Sequence, residues 1–230
     1  GFKKVLDFYN LPYNEYALMV GTSEGEAKFL GYSEARKLVN AWVEDTNLAI
    51  FLNADHHKSF ESCKKAITSG YDTVLIDGSN LSFEENVKLT HRVVDDSHSA
   101  IPGYTVEGEL GYLRGESKMQ ETVEIMPEDF TRPEEAKEFV EMTGVDRLAV
   151  VFGNIHGVVT KQEEKLDFGL LKKINQALPD TFLVLHGGSG LSESDFKKAI
   201  ENGITNIHIN TEVRVAYREG LEETIKKFPD

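Results

Sequence analysis

A chain of 230 residues, 40% of them hydrophobic, can bury one large core, and residues 1–230 are read as a single domain near the size usual for α/β barrels, about 250 residues. The formal charge of −14, from 39 acidic against 25 basic side chains with no dense lysine or arginine cluster, excludes a general nucleic-acid surface but not a small anion held by backbone N–H groups or a bound cation. The lone cysteine, Cys63, excludes an intrachain disulfide framework, no apolar run reaches the roughly 18 residues of a membrane span, and the first residues lack the order of a secretory signal, so the cytoplasm is the expected compartment.

In chain order, GFKKVLDFYNLPYNE offers no convincing strand before Ala17, and VLDFY within it is a poor candidate. ALMVG at 17–21, AIFLNAD at 49–55 and TVLID at 73–77 then read as buried strands. Ser82 with Glu85 forms a capping box ahead of NVKLTHRVV, and TVEGEL at 105–110 is the next strand. Arg114 to Phe130 has no apolar period and reads as a long loop. LAVVF at 148–152 follows, then a helix FGLLKKINQAL capped by Asp167 and stopped by Pro179, then the strand TFLVL at 181–185. Ser192 with Asp195 starts a further helix that Gly203 ends, before the last strand, ITNIHI at 204–209. This alternation predicts an α/β fold, a (β/α)8 TIM barrel whose first strand region is missing or poorly recognisable.

Metal-capable side chains stand at the ends of four of these runs: His56, Glu109, His156 and His186. Parallel strands carry their chemistry at their C-terminal ends, so these four are the candidate ligands of one divalent cation. Asp55 sits beside His56 and can face a substrate. Glu107 and Glu109 share a strand face, so one is a ligand and the other bonds a ligand histidine; Glu109 is preferred. His156 in GNIHG and His186 in HGGSG are each flanked by glycine, as turn residues also are. Gly187, Gly188, Ser189 and Gly190 can form an anion nest, and with the end of the last strand, His208 to Thr211, they predict a phosphorylated substrate. His57 is expected to begin a loop, and His91 and His98 to lie on a helix surface or end. Asp77 holds an alternative metal position, orients His56 or stabilises a turn.

The set NADHH, IDGSNLSFEENV, VEGELG, GNIHG, KLDF, LHGGSG and NTE resembles the metal-dependent, class II fructose-bisphosphate and tagatose-bisphosphate aldolase family, from about residue 18 to residue 225 and in the family order. The resemblance implies reversible cleavage of a ketose bisphosphate to dihydroxyacetone phosphate and glyceraldehyde 3-phosphate, within carbohydrate metabolism. It implies one Zn2+ or another divalent transition metal on His56, Glu109, His156 and His186, with Asp55 handling the C4 hydroxyl proton. Ser23, Gly157, Gly187, Ser189, His208, Asn210 and Thr211 fall in its substrate and phosphate region. A homodimer or homotetramer is implied as well. Two departures stand out: the position of the family's mobile-loop glutamate, eight residues past Glu109, holds Ser117, which leaves Glu116 as the candidate for C1 proton transfer, and His208 stands where an asparagine is usual. A metal-dependent hydrolase and a nonenzymatic sensor of phosphorylated metabolites are the competing readings of the same residues.

Overall fold

The computed structural model describes Lys4, Leu6, Pro12 and residues 16–229. The expectation about VLDFY at 5–9 therefore lies, Leu6 apart, outside the described residues. The chain forms two compact units, Gly1–Glu109 with Thr143–Asp146, and Leu110–Met142 with Arg147–Asp230.

In the first unit, β1 (Ala17–Ser23), β2 (Ala49–His57), β3 (Thr73–Ile76) and β4 (Thr105–Leu110) are hydrogen-bonded in that order, all parallel. Between them run α1 (Glu24–Leu30), α2 (Tyr32–Thr46), α3 (Phe60–Thr68) and α4 (Phe83–Ala100). Val74, Leu75, Ile76 and Val106 are fully buried, as a parallel strand covered on both faces requires. The capping box at Ser82 is formed: its hydroxyl accepts the Glu85 N–H while Glu85 reaches back. Two aspartates that immediately precede strands accept main-chain N–H groups of other strands. The Leu52 N–H donates to Asp72 at 2.7 Å, and the Val106 N–H to Asp146 at 2.8 Å.

In the second unit, β6 (Arg147–Val150), β8 (Phe182–Leu185) and β9 (Ile204–Ile207) form a parallel set. The helices are α5 (Pro133–Thr143, its last residue in the first unit), α6 (Phe168–Ala177), α7 (Glu193–Glu201) and α8 (Thr211–Lys227). Asp167 caps α6 through the Leu170 N–H, and Ser192 forms the capping box of α7, as the sequence predicts.

The stretch from Arg114 to Phe130 is not a plain loop. It contains β5 (Gly115–Gln120), which pairs in parallel with β7 (His156–Val159). A 3-10 turn at Pro127–Asp129 completes it, with Arg114 gripping Asp129 through two bonds of 2.9 Å. No apolar period marks β5 because its order comes from main-chain pairing and from glycine. A side chain at Gly157, where φ is +100°, would strike the carbonyls of Glu116 and Lys118.

Candidate active site

The first unit assembles its polar cluster at the C-terminal end of β2. The β2–β3 register shifts between Ala54 and His57, and His56 takes φ +46°. A left-handed conformation costs a non-glycine residue about 1–3 kcal/mol, which the surroundings must over-determine. Here they do. His56 Nδ1 lies 3.2 Å from Asp77 Oδ2 and 3.3 Å from Glu109 Oε2. The other Asp77 oxygen accepts from the Ser79 N–H at 3.1 Å and the Ser79 hydroxyl at 2.6 Å, so Asp77 orients the imidazole and also stabilises a turn.

The electrostatics of this cluster are those of a cation site. Burial opposes charge on His56, yet the Glu109 charge and the bonds to Asp77 and Glu109 raise its pKa well above the ordinary value. Burial likewise opposes charge on Asp77, but the bonds from His56 and Ser79 hold its carboxyl low. Burial raises Glu109, with His56 opposing and the neighbouring carboxylates Asp77 and Glu107 adding to the rise. His56, Asp77 and Glu109 each offer one ligand atom, all within 4.8 Å of one another. Three such buried donors fit a divalent cation, which would neutralise the two carboxylates without a proton on the imidazole.

Around this cluster the neighbours differ in role. Glu107 is fully buried two residues before Glu109. Buried Asn86 donates to the Glu109 carbonyl at 2.9 Å and accepts from Thr90 at 3.1 Å, which fixes the end of β4. Asp55 lies two residues before the end of β2, opposite Ser23 in the β1 register, and its side chain lies over Gly21. The Ser23 hydroxyl caps α1, accepting from the Glu26 N–H at 3.3 Å and donating to the Glu26 carboxylate at 2.8 Å. His57 does not begin a loop. It ends β2 fully buried, its Nε2 3.2 Å from the Tyr32 hydroxyl, and desolvation lowers its pKa, so it is a neutral core histidine.

The second unit holds the remaining candidates. His156 opens β7, with its N–H on the Arg114 carbonyl at 2.8 Å and its carbonyl accepting from Gln120 at 2.9 Å. Its Nε2 lies 2.8 Å from the Ser117 hydroxyl. Glu116 points elsewhere: it is exposed, paired to Lys118 at 2.7 Å, and that bond lowers its pKa. Asn154, buried inside GNIHG, accepts from the Phe152 N–H at 2.9 Å and donates to the His186 carbonyl at 2.9 Å. Gly187 takes φ +74°, and a Cβ there would strike the Ile155 carbonyl. The His186 and His208 rings lie 4.1 Å apart between centroids, and Asn206 Nδ2 is 3.3 Å from His208 Nε2.

The loop expected to bind an anion, Gly187 to Gly190, lies beside a helix start. Ser189 and Thr211 are buried, and the Ser189 hydroxyl accepts the Glu212 N–H, in the first turn of α8, at 3.3 Å. Asn210 precedes that helix without a side-chain cap bond. Orphan N–H groups at the N-terminus of a 17-residue helix favour a phosphate. Asn86 and Asn154 are positioning residues that sequence reasoning passes over, although each sits in a motif already singled out. Only the fold reveals the distant carbonyls they bond.

Histidines and carboxylates at the ends of parallel strands are a donor set that suits a divalent cation. The family model "Fructose-bisphosphate aldolase class-II" matches residues 13–230. The chain belongs to the class II fructose-bisphosphate aldolase family, whose members are metal-dependent aldehyde-lyases. It is 36% identical over 218 residues to the fructose-bisphosphate aldolase of Geobacillus stearothermophilus, covering 93% of this chain and 73% of that one. Against the Staphylococcus epidermidis enzyme of the same name the identity is 38%, with the same coverage. Among solved structures, the YdjI aldolase of Escherichia coli K12 superposes with a TM-score of 0.74 at 32% identity, over 91% of this chain and 71% of that one.

Proposed function

We propose that the chain cleaves fructose 1,6-bisphosphate reversibly to dihydroxyacetone phosphate and glyceraldehyde 3-phosphate, with Zn2+ as its metal and His56, Glu109, His156 and His186 as ligands. The observation that carries this reading is His56, left-handed at a register shift and held between Asp77 and Glu109. A divalent cation bound there supplies Lewis-acid stabilisation of the charge that develops on the substrate carbonyl oxygen. Asp55 takes the C4 hydroxyl proton as the C3–C4 bond breaks. The Ser189 loop, Gly157, Gly187 and the α8 start at Thr211 bind a phosphate, while Ser23, His208 and Asn210 contact the sugar. Glu116 delivers a proton to the former C3, which is C1 of the released dihydroxyacetone phosphate, and for this it must leave Lys118. The fold that goes with this reading is a (β/α)8 barrel, the assembly a homodimer or homotetramer, and the compartment the cytoplasm.

Product analysis with fructose and tagatose 1,6-bisphosphates tests the proposal. Cleavage of the fructose sugar at the higher kcat/KM, lost in His56→Ala and Asp55→Asn, is the expected outcome. Preference for the tagatose sugar would reassign the substrate. Metal binding with no cleavage of either would favour the sensor reading.

A further inference from the structure

The backbone around His156 is held on both sides. Its N–H and carbonyl are bonded to Arg114 and Gln120, and β5 and β7 approach so closely that Gly115 and Gly157 leave no room for a side chain. Ser117 meets the imidazole at 2.8 Å from Nε2. Ser117 is itself anchored, since Arg214 in the first turn of α8 donates to its carbonyl at 3.4 Å.

A serine hydroxyl can donate or accept, so the ring proton decides what the contact does. With the proton on Nδ1, the hydroxyl donates to Nε2 and neither nitrogen keeps a lone pair for a cation. With the proton on Nε2, the hydroxyl accepts it and Nδ1 keeps its lone pair. Metal-binding histidines commonly have their second nitrogen engaged in this way, which fixes the tautomer and ring orientation.

We infer that Ser117 is a positioning residue for His156: its hydroxyl accepts the Nε2–H and presents Nδ1 to a cation. This rests on the reading of His156 as a metal ligand. Ser117 thereby orients an imidazole from the loop position where the family carries a glutamate, and Arg214 links that orientation to the helix whose start lies beside the loop at 187–190.

Two measurements test it. Imidazole 15N shifts of the metal-free protein should show His156 protonated on Nε2, and Ser117→Ala should shift the population toward the Nδ1–H form. Zinc affinity, by competition with a chromophoric chelator, should fall about 10–100-fold in Ser117→Ala and recover in Ser117→Thr. Unchanged affinity in Ser117→Ala, with His156→Ala still weakening binding, would overturn the inference and leave the ligand reading standing. Tighter binding in Ser117→Ala would overturn it too, because the hydroxyl would then be a competitor for the metal-binding nitrogen. If His156→Ala binds zinc as the parent does, the ligand reading itself falls.

Discussion

Asn154→Ala removes the amide that joins the ends of β6 and β8. In the folded protein Asn154 and Phe152 are buried, and the amide accepts the Phe152 N–H at 2.9 Å while donating to the His186 carbonyl at 2.9 Å and the Val150 carbonyl at 3.3 Å. Truncation leaves a buried N–H and a strand-end carbonyl without this partner, and each such loss costs about 1–3 kcal/mol. Taking the two shorter bonds as the significant ones, the expected destabilisation is about 3 kcal/mol, a large fraction of the roughly 5–15 kcal/mol that holds a domain together. For a chain of this length, that lowers Tm by roughly 6–12 °C. The assay is urea unfolding of metal-stripped protein followed by circular dichroism, with Glu141→Gln on the exposed face of α5 as a control expected within about 0.5 kcal/mol of the parent. An Asn154→Ala variant as stable as the control would refute the claim that this amide secures the strand ends behind His156 and His186.

Asp77→Asn keeps a hydrogen-bonding group beside His56 but removes the charge, so zinc affinity should fall roughly 10–100-fold in chelator competition; an unchanged affinity would deny Asp77 its orienting role. Burial first, and the Asp195 charge with it, pushes the Glu164 carboxyl up to about 7 against the bond from the Ile155 N–H. A folded-state pKa above the unfolded value means stability fully present below about 4.5 and lost as pH rises through about 7. Glu164→Gln should therefore gain stability relative to the parent across that window and hold the gain above it, and a pH-independent difference between the two unfolding curves would contradict this. Gly157→Ala combines a disfavoured φ with a clash against the Glu116 and Lys118 carbonyls, so amide exchange at 115–120 should accelerate at least tenfold; protection equal to the parent would mean that β5 does not depend on this close approach.

The seven apolar strands and the caps at Ser82, Asp167 and Ser192 were legible because buried parallel strands leave continuous apolar runs and capping uses residues within one turn. The polar cluster was legible in part. His56, Asp77 and Glu109 come together as strand ends should, yet no local signal foretells the register shift at which His56 takes its left-handed backbone. β5 was hidden because GESKMQ has no buried face, and its pairing partner stands some 40 residues away. The bonds from Asn86 to the Glu109 carbonyl and from Asn154 to the His186 carbonyl depend on residues 23 and 32 positions distant, which only the folded chain brings near. His57 looked like a loop residue from its polarity alone, until Tyr32 supplied a partner inside the core. Glu116 could be named as an acid by its position, but the pairing with Lys118 was not foreseen.

The most direct test of the central claim is the initial rate of triose phosphate release from fructose 1,6-bisphosphate before chelation, after chelation and after zinc is returned. The account predicts cleavage that chelation abolishes and near-stoichiometric zinc restores, unaffected by borohydride because no lysine Schiff base forms. Cleavage that survives complete metal removal, or that borohydride arrests, would contradict it.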